Sequence, residues 1–213
     1  MVDISDAFLY GIVDLGYVDK SKAVGMARSL LDGGIGLLQL RAKAHQPDAL
    51  LPLANLLREA CDEFSIPLVV NDHVNLARDC RAHGLHLGQD DGSLSAAREV
   101  LGDGVIIGRS THSVEQARSA LEEGADYIGF GPLFPTPTKE GRPAIGLGDI
   151  SEVQSTVGSK IPVFCIGGIK PMNLTEVIAA GARRCVVVSH LLQAHSPKEE
   201  ASLILSTLIN HSH

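Results

Sequence analysis

The sequence has no excess of basic residues: 18 lysines and arginines stand against 25 aspartates and glutamates, a formal net charge of −7. A domain that binds nucleic acid through its phosphates usually shows the opposite balance or a block of basic residues. Neither is present, so we expect no nucleic-acid partner. Local basic sites for a small phosphorylated ligand are compatible with this composition.

The sequence also lacks the features of membrane and secreted proteins. No apolar run approaches the roughly 18 residues that a membrane span requires, so no membrane partner is expected. The N-terminus, MVDISDAF, carries two aspartates where a secretory or mitochondrial signal would carry basic residues. The four cysteines form no C-x-x-C pair, and we expect buried thiols instead of a disulfide framework. Together these absences predict a cytoplasmic protein.

Hydrophobic residues make up 45% of the chain, which excludes intrinsic disorder. Short segments rich in valine, isoleucine and leucine recur, each followed by a stretch with helical spacing. Because these segments are apolar throughout, they predict parallel strands that are covered on both faces. The eight predicted strands occupy residues 8–14, 37–41, 67–71, 84–88, 105–110, 126–131, 161–167 and 184–189. The predicted helices cover about residues 23–31, 50–64, 74–82, 93–101, 113–123, 147–157, 173–180 and 197–210.

Eight strand-then-helix units match the (β/α)8 TIM barrel, although that fold typically has about 250 residues. An open, doubly wound sheet is the structural alternative, and it usually carries G-x-G-x-x-G after its first strand. The turn after Asp14 reads DLGYVDKS and lacks that motif. We therefore predict a single α/β domain over residues 1–213, a (β/α)8 TIM barrel with core strands from about 8 to 189 and a C-terminal helix over about 197–210.

The first candidate site follows strand 2, where the chain reads Gln39-Leu40-Arg41-Ala42-Lys43. Chemistry in such a barrel takes place at the C-terminal ends of the strands. Alternation along the strand puts Gln39, Arg41 and Lys43 on one side, toward the barrel mouth. Two cations and an amide that converge there suit a polyphosphate. The alternative is a strand end that is merely solvated.

Carboxylates follow the next two strands, since strand 3 ends in Asn71-Asp72 and strand 4 leads into Gln89-Asp90-Asp91. They would face the basic cluster, as a Mg2+–diphosphate site requires. Mg2+ takes one or two carboxylates and completes its coordination shell with water and phosphate oxygens. The competing interpretation is that Asp72 and Asp91 cap the helices that follow them. Spacing alone does not choose between the two.

Strand 5 ends in Ser110, followed by a histidine and a second serine. Ser110 could bind phosphate or substrate, whereas Ser113 stands where it would cap the next helix. His112 could act as an acid–base group, because histidine titrates near neutral pH. A loop histidine with an ordinary pKa is the commoner outcome.

The longest irregular stretch follows strand 6 and runs from Gly131 to Pro143. A proline-rich loop of this length at the catalytic face indicates a substrate lid. Within it, Thr136, Thr138 and Lys139 supply two hydroxyls and a cation.

Strands 7 and 8 end in small residues, Gly167-Gly168-Ile169 and Val188-Ser189. Glycines there let backbone N–H groups approach a phosphate, as in many barrels of this kind. The pattern therefore predicts two phosphate sites, one basic and metal-assisted and one built on glycine. Two such sites suggest a reaction that joins or exchanges two phosphorylated small molecules.

The strings QLRAK, VVNDHVNLA, GLHLGQDD, GRSTHS, DYIGFGPLFPTPTK, IGGI and VVVS occur in this order between about residues 9 and 189. Together they resemble the thiamine phosphate synthase family, whose members are (β/α)8 barrels. The resemblance implies a Mg2+-dependent transferase. It would couple 4-amino-2-methyl-5-hydroxymethylpyrimidine diphosphate to 4-methyl-5-(2-phosphoethyl)thiazole, or to its carboxylated form, giving thiamine phosphate and pyrophosphate. The implied partners are these two phosphorylated substrates, and a homo-oligomer is left open.

Matched position by position, the resemblance also implies the site residues. The pyrimidine diphosphate would contact Gln39, Arg41, Lys43, Asn71, Ser110 and Lys139, of which Arg41, Lys43, Ser110 and Lys139 would be catalytic. The metal would be bound by Asp72 and Asp91, and the thiazole phosphate by Thr136, Thr138, Gly168, Val188 and Ser189. Two departures from the family pattern, Ala42 and His73, affect local charge and fall outside these positions.

The implied chemistry is a dissociative displacement at the pyrimidine methylene, which requires no protein nucleophile. The nearest rival is the thiazole tautomerase branch of the same superfamily, which would use His112 and binds no diphosphate. The complete set of basic residues and carboxylates argues against it. The same completeness argues against a non-catalytic binding protein of the thiamine pathway. Another phosphate-binding barrel isomerase would leave the cluster after strands 2–4 unused.

Overall fold

Eight parallel strands close into a barrel in chain order, with β1 paired to both β2 and β8. The structure is a computed structural model that describes residues 2–136 and 143–211. The strands are β1 Leu9–Asp14, β2 Leu37–Arg41, β3 Leu68–Asn71, β4 Gly84–Leu87, β5 Ile106–Thr111, β6 Tyr127–Phe130, β7 Val163–Ile166 and β8 Arg184–Val187. The predicted (β/α)8 TIM barrel is confirmed, and the open-sheet alternative is wrong.

The helices surround the barrel, and their apolar stripes face it. In α1, for example, Ala23, Ala27, Leu30 and Leu31 are buried at helical spacing. The helices are α1 Ala23–Asp32, α2 Leu51–Glu63, α3 Val74–Asp79, α4 Leu94–Leu101, α5 Val114–Glu122, α6 Ile150–Thr156, α7 Pro171–Ala179, α8 Ser189–Leu192 and α9 Pro197–Asn210, with 3-10 turns at Lys20–Lys22 and Pro47–Leu50. The sequence did not predict α8, because four residues are too few to show a helical period.

The barrel interior is packed with side chains that form a closed floor. The rings of Tyr10, Tyr127 and Phe164 meet edge to face, with centroids 5.3 to 6.0 Å apart. Gly108 makes room for this cluster, since a β-carbon there would collide with the Tyr127 ring. These buried rings therefore fill the middle of the barrel, below the carboxyl ends of its strands.

Two sequence expectations about the rest of the chain can be compared with the structure. All four cysteine thiols are buried and free, as expected, and burial raises the pKa of Cys165 to about 12. Ser113 caps α5 by accepting a hydrogen bond from the Gln116 N–H at 3.2 Å. No helix in residues 2–136 or 143–211 is both long enough and apolar enough to cross a membrane.

Candidate active site

A cavity opens at the carboxyl ends of the strands, where the topology brings the eight strand ends together. Most of the predicted site residues line it. They are Gln39, Arg41, Lys43, Asn71, Asp72, Asp91, Ser110, Thr136, Gly168, Val188 and Ser189. Thr138 and Lys139 lie outside the described residues. The alternation that predicted one face for Gln39, Arg41 and Lys43 is thus confirmed.

Arg41 is held by a buried carboxylate that the sequence analysis missed. Asp14, at the end of β1, lies directly opposite Arg41 in the β1–β2 register and forms an ion pair with its Nη1. Its other oxygen accepts a hydrogen bond from the Gly16 N–H at 2.9 Å. Because the Asp14 side chain is only 2% exposed, this pair fixes the direction of the guanidinium.

Lys43 and Asp72 form a second and more exposed ion pair, with Nζ and Oδ2 separated by 2.7 Å. The Asp72 backbone is left-handed, with φ of 63°. Such a conformation is uncommon for a residue other than glycine and often marks a functional site. The N-cap of α3 is the next residue, His73, so the capping interpretation of Asp72 is wrong.

Asp91 lies beside Asp72 and does not cap a helix either. Its Oδ2 accepts a hydrogen bond from the Gly88 N–H at 2.8 Å, while Ser93 caps α4. Burial raises the pKa of Asp72, and the neighbouring Asp91 carboxyl adds to the rise, whereas Lys43 opposes it. Because the Asp91 carboxyl disfavours ionisation of Asp72, a cation bound between the two would be stabilised.

These carboxylates fit Mg2+ bound together with a phosphorylated ligand. Within residues 2–136 and 143–211, no cluster of three or more His, Cys, Asp or Glu side chains could hold a metal. Mg2+ does not require such a cage, since it binds through one or two carboxylates and fills its shell with phosphate and water oxygens. We call the group of Arg41, Lys43, Asp72 and Asp91 the charged end of the cavity.

A buried hydrogen-bonded chain of five side chains forms the polar floor below the charged end. Gln39 Nε2 donates to the Tyr10 hydroxyl at 2.6 Å, and that hydroxyl lies 3.1 Å from the Tyr127 hydroxyl. The chain continues from Tyr127 to His86 Nδ1 at 3.1 Å and from His86 Nε2 to Ser110 Oγ at 2.9 Å. Burial raises the pKa of both tyrosines, so they are neutral near pH 7.

The sequence analysis missed Tyr10, His86 and Tyr127. A tyrosine or histidine inside an apolar strand resembles an ordinary core residue. The signal that could have found His86 is alternation, because it points inward from β4 as Ser110 does from β5.

The opposite side of the cavity is built from main chain. Gly167 and Gly168, after β7, have φ of 102° and 69°, values that favour glycine. The loop after β6 crosses directly over them, with Phe134 N–H donating to Gly167 C=O at 3.0 Å. A β-carbon on Gly168 would lie 2.7 Å from the β-carbon of Phe134. We call Gly167, Gly168 and the neighbouring Ser189 the glycine end.

His112 is not among the residues that line the cavity. Its Nδ1 contacts the Gly131 carbonyl, and its backbone N–H donates to Gln116 Oε1 at 2.8 Å. The ring therefore supports the start of the loop after β6. This placement does not favour the tautomerase alternative, which needs His112 as an acid–base group.

Comparison with known proteins agrees with this geometry. The model of the thiamine monophosphate synthase family matches residues 9–191. A thiamine-phosphate synthase of Acidothermus cellulolyticus is 42% identical over 93% of this chain and 93% of its own length. A thiamine-phosphate synthase of Nostoc sp. is 43% identical over 84% of this chain. The matched region covers only 50% of the length of that relative.

Among solved structures, the thiamine phosphate pyrophosphorylase from Pyrococcus furiosus superimposes with a TM-score of 0.88 at 30% identity. The superposition covers 99% of each chain. The agreement therefore extends over the whole barrel, including the strand ends that form the cavity. This chain belongs to the thiamine monophosphate synthase family and is an enzyme of the transferase class.

Proposed function

We propose that this enzyme joins 4-amino-2-methyl-5-hydroxymethylpyrimidine diphosphate to 4-methyl-5-(2-phosphoethyl)thiazole and releases pyrophosphate. The observation that carries the proposal is one cavity with two unlike ends, a charged end and a glycine end. Such a cavity suits two phosphorylated substrates that must meet between their phosphate groups. Family membership supports thiamine phosphate as the product.

The diphosphate binds at the charged end. Arg41 and Lys43 contact its oxygens, and Asn71 and Ser110 donate hydrogen bonds from β3 and β5. We propose the same role as that of Arg41 and Lys43 for Lys139, which lies outside the described residues. Asp72 and Asp91 would hold Mg2+, which when bound would supply positive charge to the diphosphate leaving group.

Charge stabilisation at that end drives the reaction. The bond between the pyrimidine methylene and the diphosphate oxygen breaks, and the diphosphate takes the electron pair. Arg41, Lys43 and Lys139 stabilise the negative charge that develops, which is the largest contribution that such sites usually make. The pyrimidine ring delocalises the positive charge left on the methylene, so no protein nucleophile is needed.

The pyrimidine lies over the polar floor, where Gln39 reaches the cavity from β2. Side chains of Ile12, Ile166 and Val186 provide apolar contacts around it. An apolar surround excludes water, which would otherwise trap the cation before the thiazole reaches it. The thiazole nitrogen then attacks the methylene and forms the new carbon–nitrogen bond.

The thiazole phosphate binds at the glycine end. Gly168, Val188 and Ser189 line the cavity there and can bring backbone N–H groups close to phosphate oxygens. Thr136 adds a hydroxyl from the loop after β6, and we propose the same role for Thr138, which lies outside the described residues.

The cytoplasmic location and the homo-oligomer considered from the sequence stay predictions.

The proposal is tested by supplying the purified protein with both substrates, with and without Mg2+. We expect thiamine phosphate and pyrophosphate in equal amounts, formed only when the metal is present. A parallel reaction with the carboxylated thiazole phosphate identifies the preferred second substrate. A folded protein that forms neither product from either thiazole would contradict the proposal.

A further inference from the structure

We propose that Arg109 is a positioning residue for the metal site: it holds the loop of residues 88–92 in the conformation that presents Asp91 to the cavity. We call residues 88–92 the acidic loop. The inference rests on the proposed function, because it takes Asp91 as a ligand at the charged end. Arg109 itself does not line the cavity.

Arg109 lies behind the acidic loop, on the outer side of the barrel. It precedes Ser110 on β5, and because side chains alternate along a strand, Ser110 points into the barrel and Arg109 points away. In the β4–β5 register it is opposite Leu87, the last residue of β4. Arg109 therefore lies beside the point at which the chain leaves β4 and enters the acidic loop.

The guanidinium binds both ends of this loop. Nη1 donates to the Gly88 carbonyl at 2.6 Å, and Nη2 donates to the Gly92 carbonyl at 2.9 Å. Between these two anchors, Asp91 Oδ2 accepts the Gly88 N–H at 2.8 Å. The loop is thus tied at its first residue, at its last residue and through the carboxylate it carries.

The burial of Arg109 indicates that these carbonyls are its main partners. Its side chain is 6% exposed, and removing a guanidinium from water is costly unless its donors are satisfied. The nearest carboxylate oxygen, on Glu123, lies 3.4 Å away, and that side chain is 48% exposed. The planar fork of arginine can reach two carbonyls at once, whereas lysine offers a single point charge.

Arg98 provides a matched control at the opposite end of the barrel. It too bonds a backbone carbonyl, that of Val105, and it contacts Asp126 Oδ2 at 2.6 Å. Those partners precede β5 and β6, far from the strand ends that form the cavity. A purely structural role for Arg109 predicts that Arg98→Met and Arg109→Met behave alike.

The experiment compares Arg109→Met, Arg109→Lys and Arg98→Met by two readouts that do not depend on turnover. The first is amide hydrogen exchange of the acidic loop in the protein without ligands. The second is Mn2+ binding in the presence of pyrophosphate, followed by electron paramagnetic resonance. Loss of a residue that orients a metal ligand typically weakens metal binding about 10- to 100-fold.

For Arg109→Met we expect faster exchange confined to the acidic loop and Mn2+ binding weakened at least about tenfold. Arg109→Lys is expected to lie between Arg109→Met and the wild type, and it decides the question if Arg109→Met does not fold. Arg98→Met should lower the thermal midpoint without changing either readout. Exchange and Mn2+ binding that are equal in the Arg109 and Arg98 variants would overturn the inference.

Failure of the proposed function gives a different result. A wild-type protein that forms no product with Mg2+ contradicts the function. The exchange measurement still judges Arg109, because it needs neither metal nor substrate.

Discussion

Under the proposed function, the two ends of the cavity would recognise phosphate by different means. At the charged end, side chains at the ends of β2 and β3 and in the acidic loop would contact the ligand. Carboxylates hold the two basic side chains, Arg41 and Lys43, in place. At the glycine end, backbone with positive φ would approach the ligand, and neighbouring loops leave no room for a β-carbon. We therefore expect function at the charged end to be lost when a side chain is removed, and function at the glycine end to be lost when one is added.

The two ion pairs of the charged end also differ from each other. Lys43 and Asp72 are 52% and 14% exposed, whereas Arg41 and Asp14 are 16% and 2% exposed. Water screens the half-exposed Lys43 ammonium more than the Arg41 guanidinium, so the Lys43–Asp72 pair is held less tightly than the Arg41–Asp14 pair. Under the proposed function, Lys43 and Asp72 would therefore separate more easily than Arg41 and Asp14 on binding of a diphosphate and Mg2+, and Arg41 would keep its orientation.

The largest effect is expected from Asp91→Asn. The change removes the negative charge that we assign to Mg2+ but keeps the size of the side chain. We expect kcat to fall about 10²–10³-fold, as for loss of one group that stabilises developing charge. Steady-state kinetics at saturating Mg2+ measure this, with Asp90→Asn as a control because Asp90 is adjacent to Asp91 but does not line the cavity. Equal rates for the two variants would refute the metal assignment.

A smaller but still large effect is expected from Asp14→Asn. Breaking a buried ion pair on one side costs about 3–5 kcal/mol of stability, and a misdirected Arg41 should lower kcat/KM for the pyrimidine diphosphate. The double change Asp14→Asn with Arg41→Met separates the two consequences. It should recover part of the unfolding free energy and none of the activity. Recovery of both in the double variant would mean that Arg41 has no role in the reaction.

At the glycine end, Gly168→Ala should raise the KM for the thiazole phosphate. The added β-carbon would lie 2.7 Å from that of Phe134, and φ is 69°. A displacement of about 1 Å can cost up to 10²-fold, and we expect roughly tenfold here. Gly102→Ala is the control, because it has comparable backbone strain, with φ of 79°, but its added β-carbon would lie in open space. We expect it to leave the KM for the thiazole phosphate unchanged. If the KM for the pyrimidine diphosphate rose instead, the assignment of the two substrates to separate ends of the cavity would be wrong.

The smallest effect is expected from His112→Gln. Since the ring contacts the Gly131 carbonyl and does not itself line the cavity, we expect kcat to change by less than about fivefold, compared with 10²–10⁴ for a general acid or base. The pH dependence of kcat should be the same with and without the histidine. A loss of activity of 10²-fold or more, together with a lost ionisation in the pH profile, would restore the acid–base hypothesis.

The sequence predicts those features of the structure that depend on the pattern of residues within one segment. It does not predict contacts between segments that are far apart in the chain. Apolar strands followed by helical periods predicted the barrel, and simple alternation placed Arg41 and Lys43 at its mouth. Asp14 was missed because its partner lies 27 residues later and meets it only through the β1–β2 register. Arg109 was missed because its partners are backbone carbonyls of another loop, which no residue type reveals.

The most direct test of the account is a crystal structure with Mg2+, pyrophosphate and thiamine phosphate bound. The account predicts pyrophosphate against Arg41 and Lys43, with the metal between it and the carboxylates of Asp72 and Asp91. It predicts the thiazole phosphate against Gly168 and Ser189. Both phosphorylated ligands at one end, or a metal bound away from Asp72 and Asp91, would contradict it.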